Sequence, residues 1–115
     1  MACTCKFDGD NKAPAGLEEL MCVKVGDHGE GKTVAMMEVK KGWKWSEHMK
    51  PIVKTDSCQK AHFGVLMSGK IKVWMDDKSE LTIEAGQSYY IPPGHDAEAL
   101  EDIKGFEFAD NHATK

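Results

Sequence analysis

The 115-residue sequence lacks several things that whole classes of protein require. No apolar run approaches the ~18 residues that a membrane-spanning helix needs. The opening residues (MACTCKFDGDNK) lack the apolar centre of a secretory signal, so the cytoplasm is the expected location. Blocks of like charge are also missing: 15 basic and 19 acidic residues are scattered along the chain and sum to a formal charge of -4. Without a basic stripe, neither nucleic acid nor an anionic membrane surface is an expected partner. Helical periodicity is nearly absent, the only trace being residues 15–21, a stretch too short to specify a helix. There is no second domain's worth of chain, and a single core of this size buries roughly two-thirds of the unfolded surface.

Cysteine is scarce too. Four residues, in a chain of this length without an export signal, do not specify a disulfide framework, so reduced thiols are expected. Cys3 and Cys5 form a C-x-C pair in an N-terminal arm, residues 1–18, whose Gly, Asp, Asn and Lys content gives order only if the arm docks on something. That spacing suits a soft metal, but no second ligand pair lies nearby in sequence, and two tolerated thiols are the simpler reading. Cys22 alternates with Met21 and Val23 and reads as a small buried hydrophobe.

What the sequence does have is a succession of short runs rich in β-branched, aromatic and Met residues. They cover residues 20–25, 32–39, 42–45, 61–67, 70–75, 80–83, 88–91, 97–100 and 103–108, nearly all separated by Gly, Pro, Asp or Ser. The alternation is plain in residues 70–75, where Ile71, Val73 and Met75 share one face and Lys70, Lys72 and Trp74 the other. Gly69 and the Asp76-Asp77-Lys78-Ser79 turn join this run to its neighbours as a three-strand meander. The pattern specifies an all-β sandwich or barrel over residues 19–110, between the arm and a tail at 111–115. Trp43 and Trp45 are expected on one face of a strand, as a core corner or an aromatic pocket wall. Residues 49–57, polar and broken by Pro51, are expected to be a loop across a barrel mouth.

Two stretches carry the chemistry. In DSCQKAHFGVLMSG (residues 56–69), a strand entering at Asp56 would place Cys58, His62, Gly64 and Leu66 on one face, and Phe63, Val65 and Met67 against a second layer. Cys58 and His62 would then stand about 13 Å apart in a fully extended strand, so joint ligation needs a turn or bulge between them. In GQSYYIPPGH (residues 86–95), the double proline and glycine stop a strand and His95 follows at once; it either caps the strand end or faces the site. Tyr89 and Tyr90 alternate, so one points inward and one outward. His28 and His112 fall in polar, Gly-containing segments and are expected to be solvated.

These stretches resemble the two motifs of the cupins. Gly86, Pro92 and Gly94 match the second motif, and Gly69, seven residues after His62, matches the end of the first; the likeness covers about residues 36–110. The resemblance implies a double-stranded β-helix, or jelly-roll, barrel with little helix. It implies a small single-domain protein with atypical metal-ligand positions. His62 occupies the glutamate position, Cys58 a histidine position and Asp56 the other, while Ala97 stands where the second motif's histidine falls. Two alternatives follow. Either a metal site is rebuilt from Cys58, His62 and His95, with Glu47 or His48 nearby, suited to Zn, Fe or Ni, or the metal is lost and the pocket is metal-free. Expected acid/base groups are Glu47, His48, His62 and His95, in a pocket walled by Trp43, Trp45, Tyr89 and Tyr90 around a small organic molecule. The resemblance implies isomerases, lyases, decarboxylases and oxygenases, and equally non-catalytic binding or sensing modules. The sequence does not choose between enzyme and binder. A homodimer built on the apolar sheet faces is the expected assembly.

Overall fold

The computed structural model describes residues 2–110, with the side chain of Asp110 excepted, so His112 and the expected tail at 111–115 lie outside the described residues. Eight strands form: β1 (Met21–Asp27), β2 (Lys32–Val39), β3 (His62–Ser68), β4 (Lys70–Met75), β5 (Glu80–Glu84), β6 (Ser88–Ile91), β7 (His95–Ala99) and β8 (Ile103–Asp110). Two one-turn helices, α1 (Trp45–His48) and α2 (Lys50–Val53), lie between β2 and β3.

The strands build two antiparallel sheets, a larger one in the order β1-β2-β8-β3-β6 and a smaller one in the order β5-β4-β7. The expected meander is only half right: β4 and β5 pair as a hairpin, but β3 and β4 belong to different sheets. Gly69 is the reason. Its φ of +85° is open to glycine and costly to other residues, and a side chain there would collide with Asp102 and Ile103, so the chain changes sheet at that point.

The core fills the space between the sheets. Met21, Val39, Leu66, Ile91 and Ile103 face inward from the larger sheet, and Val73, Ile83, Ala97 and Ala99 from the smaller. Val73 is fully buried at 0 % exposure, as the alternation of residues 70–75 requires. Cys22 is half-buried rather than buried, because its neighbour Met21 takes the inward position.

Local expectations fail for identifiable reasons. Residues 42–45 do not form a strand: Lys44 makes one isolated bridge to Glu98, and Trp45 then opens α1. Trp43 and Trp45 are nonetheless both buried in the core, because the helical turn after Lys44 brings the second indole back inward. Residues 49–57 are not wholly loop, since Pro51 sits in the first turn of α2, where its missing N–H costs nothing. Residues 15–21, too short to specify a helix, form turns, with β1 already begun at Met21. The outward residues of β3 meet no second layer: Phe63 and Met67 are 58 % and 55 % exposed.

The N-terminal arm does dock. The Asn11 side chain donates to the Met21 carbonyl at 2.9 Å and accepts from Val23 N–H at 2.8 Å, while Lys12 N–H donates to the Val23 carbonyl at 2.7 Å. These bonds cover the free edge of β1, which would otherwise offer unpaired backbone groups to another chain. Further along, the Phe7 ring packs on Phe106 with centroids 5.6 Å apart.

Candidate functional site

The site forms where the ends of the two sheets meet. Residues 56–61 are not extended strand, and β3 begins only at His62. In place of an extended run, Cys58 makes an isolated bridge to His95: Cys58 N–H donates to the His95 carbonyl at 2.7 Å, and Gly94 N–H donates to the Cys58 carbonyl at 2.7 Å. The chain then bends back through Lys60 into β3. That bend brings the Cys58 Sγ to 3.7 Å from His62 Nε2, a quarter or so of the extended separation.

His95 opens β7 instead of closing the preceding turn. Its place resolves the missing histidine at Ala97, because residues 95, 97 and 99 share the inward face of one strand, all buried. A histidine two residues early therefore points to the same side. The His62 and His95 rings meet edge to face with centroids 5.2 Å apart. The ligand-capable atoms of Cys58, His62 and His95 all lie within 4.8 Å of one another.

Both rings are oriented from behind. The His95 Nδ1 lies 2.9 Å from the Pro92 carbonyl, which only accepts, so the ring's N–H is on Nδ1 and Nε2 is left for the cluster. His62 Nδ1 lies 2.8 Å from Glu107 Oε1, and the second carboxylate oxygen accepts from Tyr89 O–H at 2.8 Å. Gly64 makes room for this chain of contacts. It is paired with Tyr89 on one side and Glu107 on the other, and a side chain there would strike the Phe106 carbonyl, so the two flanking side chains meet over the gap.

Cys58 is held by a similar device. Gly94, with φ +91°, lies so close to Asp76 that a Cβ would come within 2.9 Å of Oδ2. The same Oδ2 accepts from the buried Ser57 hydroxyl at 2.8 Å, fixing the residue before Cys58.

Burial alone would push the Cys58 thiol up; hydrogen bonds to the His62 and His95 rings outweigh it and leave the thiol lowered to about 6. For His62, burial opposes the charged ring, but the Cys58 and Glu107 partners outweigh it and raise the ring to about 9. Burial, then the Glu107 charge, raises Tyr89 well above the ordinary phenol range, keeping it a neutral donor. Without metal, the geometry favours a thiolate beside an imidazolium.

The remaining sequence candidates are placed as follows. Tyr89 points in and Tyr90 out, at 60 % exposure, and together with Leu81 and Ile83 they line a surface cleft of about 490 Å³. Glu47 is exposed on α1. His48 Nδ1 accepts from Lys44 N–H at 3.0 Å and lies 3.1 Å from the Lys44 carbonyl, a local contact with the residue that precedes α1. Neither is among the three residues that gather. Asp56 is exposed. His28 is half-buried, not solvated, with Cys3 Sγ 3.2 Å from its Nδ1. Glu107 is the residue that motif reading misses. Its signal is an acidic side chain on the inward face of β8, in register with Gly105 and Ile103.

Of the three donors, Cys58 and His62 already stand at the separation that a shared metal ion sets. Bond lengths of ~2.3 Å to sulfur and ~2.1 Å to nitrogen at a tetrahedral angle require an S to N separation of about 3.6 Å, against the 3.7 Å between Cys58 Sγ and His62 Nε2. One thiolate and two imidazoles would hold such an ion, which would supply a Lewis acid there.

Comparison with solved structures identifies the fold. The chain superposes on KdgF from Halomonas sp. with TM-score 0.61 at 16% identity, covering 93% of this chain and 91% of that one. It superposes on an RmlC-like cupin protein from Desulfovibrio desulfuricans with TM-score 0.58 at 12% identity, covering 86% and 90%. A variant of salicylate 1,2-dioxygenase from Pseudoaminobacter salicylatoxidans matches at TM-score 0.61 and 14% identity over 86% of this chain but only 29% of that longer one. The chain has the cupin fold. Among protein-family models and curated proteins, none matches the sequence.

Proposed function

We propose that the protein is a metal-binding cupin whose Cys58, His62 and His95 hold one divalent transition ion of the Zn, Fe or Ni class. The observation that carries this reading is the convergence of the three donors, with each imidazole oriented by an acceptor behind it, Glu107 for His62 and the Pro92 carbonyl for His95. Such outer partners fix the tautomer and raise the basicity of ligand histidines. The ion, when bound, would supply a Lewis acid. The chain's own residues do the rest: Tyr89 and Glu107 hold His62 in place, and the buried setting limits water.

A small organic molecule with an oxygen function is the proposed ligand of the barrel interior. Trp43 supports it, since its indole N–H is buried with no acceptor among the described residues, and an unpaired buried donor costs about 1 to 3 kcal/mol unless something bonds to it. Isomerase, lyase or oxygenase chemistry is one outcome of such binding, and storage or sensing without turnover is the other. The structures named above include a dioxygenase, which supports the first.

A second reading has its own observation. Cys58, His62 and Glu107 stand in the order of a nucleophile, a base and the group that orients the base, with separations of 3.7 and 2.8 Å. A metal-free cupin would use Cys58 as an acid/base or nucleophilic thiolate. Elemental analysis of protein purified without chelator separates the two. The metal reading expects close to one ion per chain, lost in Cys58→Ser and His62→Ala variants; trace metal in the parent supports the thiolate.

We further propose a homodimer through the outer face of the larger sheet. Phe63, Met67, Tyr90 and Phe108 are between 45 % and 60 % exposed there, and Phe63 packs on Phe108 with centroids 6.2 Å apart. An apolar patch of this kind marks an interaction surface. Sedimentation of the parent beside Phe63→Glu tests it, a dimer becoming a monomer. All four cysteines are unpaired, which fits a reducing cytoplasm, and no helix among the described residues is long and apolar enough to cross a membrane.

A further inference from the structure

Taking Cys58, His62 and His95 as metal ligands, as proposed above, we infer that Met75 is the fourth, and that the four together bind a copper ion that carries single electrons. Two histidines and a cysteine with a weaker methionine along the axis form the donor set of blue-copper electron-transfer sites. Three of those four donors gather here, their ligand-capable atoms all within 4.8 Å of one another.

The register of the smaller sheet brings a thioether to the cluster. Met75 pairs directly with His95 across β4 and β7. Both lie on the inward face, Met75 two residues beyond the fully buried Val73 and His95 two before the buried Ala97. Side chains of such a pair start about 5 Å apart at Cβ, and the unbranched methionine can bend its sulfur across that gap. The backbone there is pinned on both sides: Met75 N–H donates to the Ser79 carbonyl at 2.8 Å, and Asp76 N–H donates to the carbonyl of Gly94, the residue before His95, at 2.9 Å. Met75 is half-buried and packs against the core.

Thiolate and thioether sulfur select Cu(I), imidazole suits copper, and divalent copper binds such donors more tightly than nickel, iron or zinc. A fourth donor from the chain fills the place that a substrate would take. The role left is electron transfer: a one-electron donor reduces Cu(II) to Cu(I), a one-electron acceptor reverses it, and no bond forms or breaks and no proton moves. Ligands that are held in place serve this, since one geometry then accommodates both oxidation states. Cys58 is bridged to β7, and each imidazole is held from behind, by Glu107 or by the Pro92 carbonyl. His62, whose side chain is 19 % exposed while His95 is buried, is the ligand nearest the surface and the port for the electron.

The test is anaerobic loading of the full chain with Cu(I), oxidation with ferricyanide, and visible and EPR spectra with a redox titration, on the parent, Met75→Leu, Met75→Gln and Cys58→Ser. The oxidised parent should show an intense sulfur-to-copper charge-transfer band and narrow copper hyperfine splitting, bleached by ascorbate and restored by ferricyanide. Cys58→Ser should lose the band. Met75→Leu should keep its copper but raise the reduction potential, and Met75→Gln should lower it, because an amide oxygen stabilises Cu(II) more than a thioether does. Leucine and methionine are close in volume, so Met75→Leu keeps the fold, and a melting curve confirms this. An oxidised parent without the band overturns the inference, and so does a potential that Met75→Leu leaves unmoved. A parent that fails in this way but binds Zn(II), with loss in Cys58→Ser, leaves the three-ligand reading standing; one that takes up neither ion overturns both.

Discussion

His62 Nδ1 and Glu107 Oε1 lie 2.8 Å apart across the paired strands β3 and β8, joining the first-motif stretch of the sequence to its last strand. The contact decides which ring nitrogen of His62 faces Cys58 and His95. Removing the carboxylate leaves all three donors in the chain while freeing one to turn.

Glu107→Gln is therefore expected to keep the fold and lose metal affinity by about 10- to 100-fold, the range for outer partners of ligand histidines. Tyr89→Phe, which removes only the bond to the far carboxylate oxygen, should cost less. Chelator competition on both variants checks the order, and an effect of Tyr89→Phe exceeding that of Glu107→Gln contradicts it.

Thiol chemistry in metal-stripped protein should follow the Cys58 and His62 environments. The sign is set by the lowered thiol: protonated below about 6 and ionised above it. Alkylation of Cys58 is expected to rise through a midpoint near pH 6. In His62→Ala the principal partner is gone and the midpoint should move up toward the ordinary thiol value of about 8.5. Metal should block the reaction at neutral and alkaline pH, where protons do not compete for its ligands. Rates read by mass spectrometry across pH 4 to 10, as a rough span around these values, test all three statements.

Gly64→Ala should destabilise the protein by about 1 to 3 kcal/mol, since the new methyl group meets the backbone carbonyl of Phe106, which cannot step aside as a side chain could. Gly9→Ala, with nothing within 4 Å of the added atom, should be close to neutral. Urea melts of the pair provide the comparison.

How much of this was legible in the sequence differs by level. Alternation in residues 70–75 and the glycines and prolines between runs announce the strands, because pleat and turn chemistry are local. The pairing of β3 with β8 is not local, and so Glu107, 45 residues from His62, stayed hidden behind a strand pattern. Cys58 and His62 look too far apart on paper because extended geometry is the default for a β-rich chain. The Cys58 to His95 bridge overrides that default. His95 was legible as a residue at a rigid turn, but its equivalence to Ala97 appears only once β7 is known to begin at 95.

Glu47 and His48 were grouped with the site by their closeness in sequence to two tryptophans. Their position on α1, with His48 engaged by Lys44, leads to a different expectation: Glu47→Gln and His48→Ala should retain metal, whereas His95→Ala should lose it. Metal content of the three variants, measured side by side, distinguishes the two groupings.

Metal should also be felt by the fold. An ion that binds only the folded chain adds about 2.7 kcal/mol at a free concentration one hundred times its dissociation constant, so chelator should lower the melting temperature of the parent and leave that of Cys58→Ser unmoved.

The central claim is tested most directly by a crystal structure of protein purified without chelator, with anomalous data collected at the Fe, Ni and Zn edges. The account predicts one anomalous peak bonded to Cys58 Sγ, His62 Nε2 and His95 Nε2. An anomalous map without a peak among these three atoms, from protein whose Cys58 is unoxidised, would contradict it.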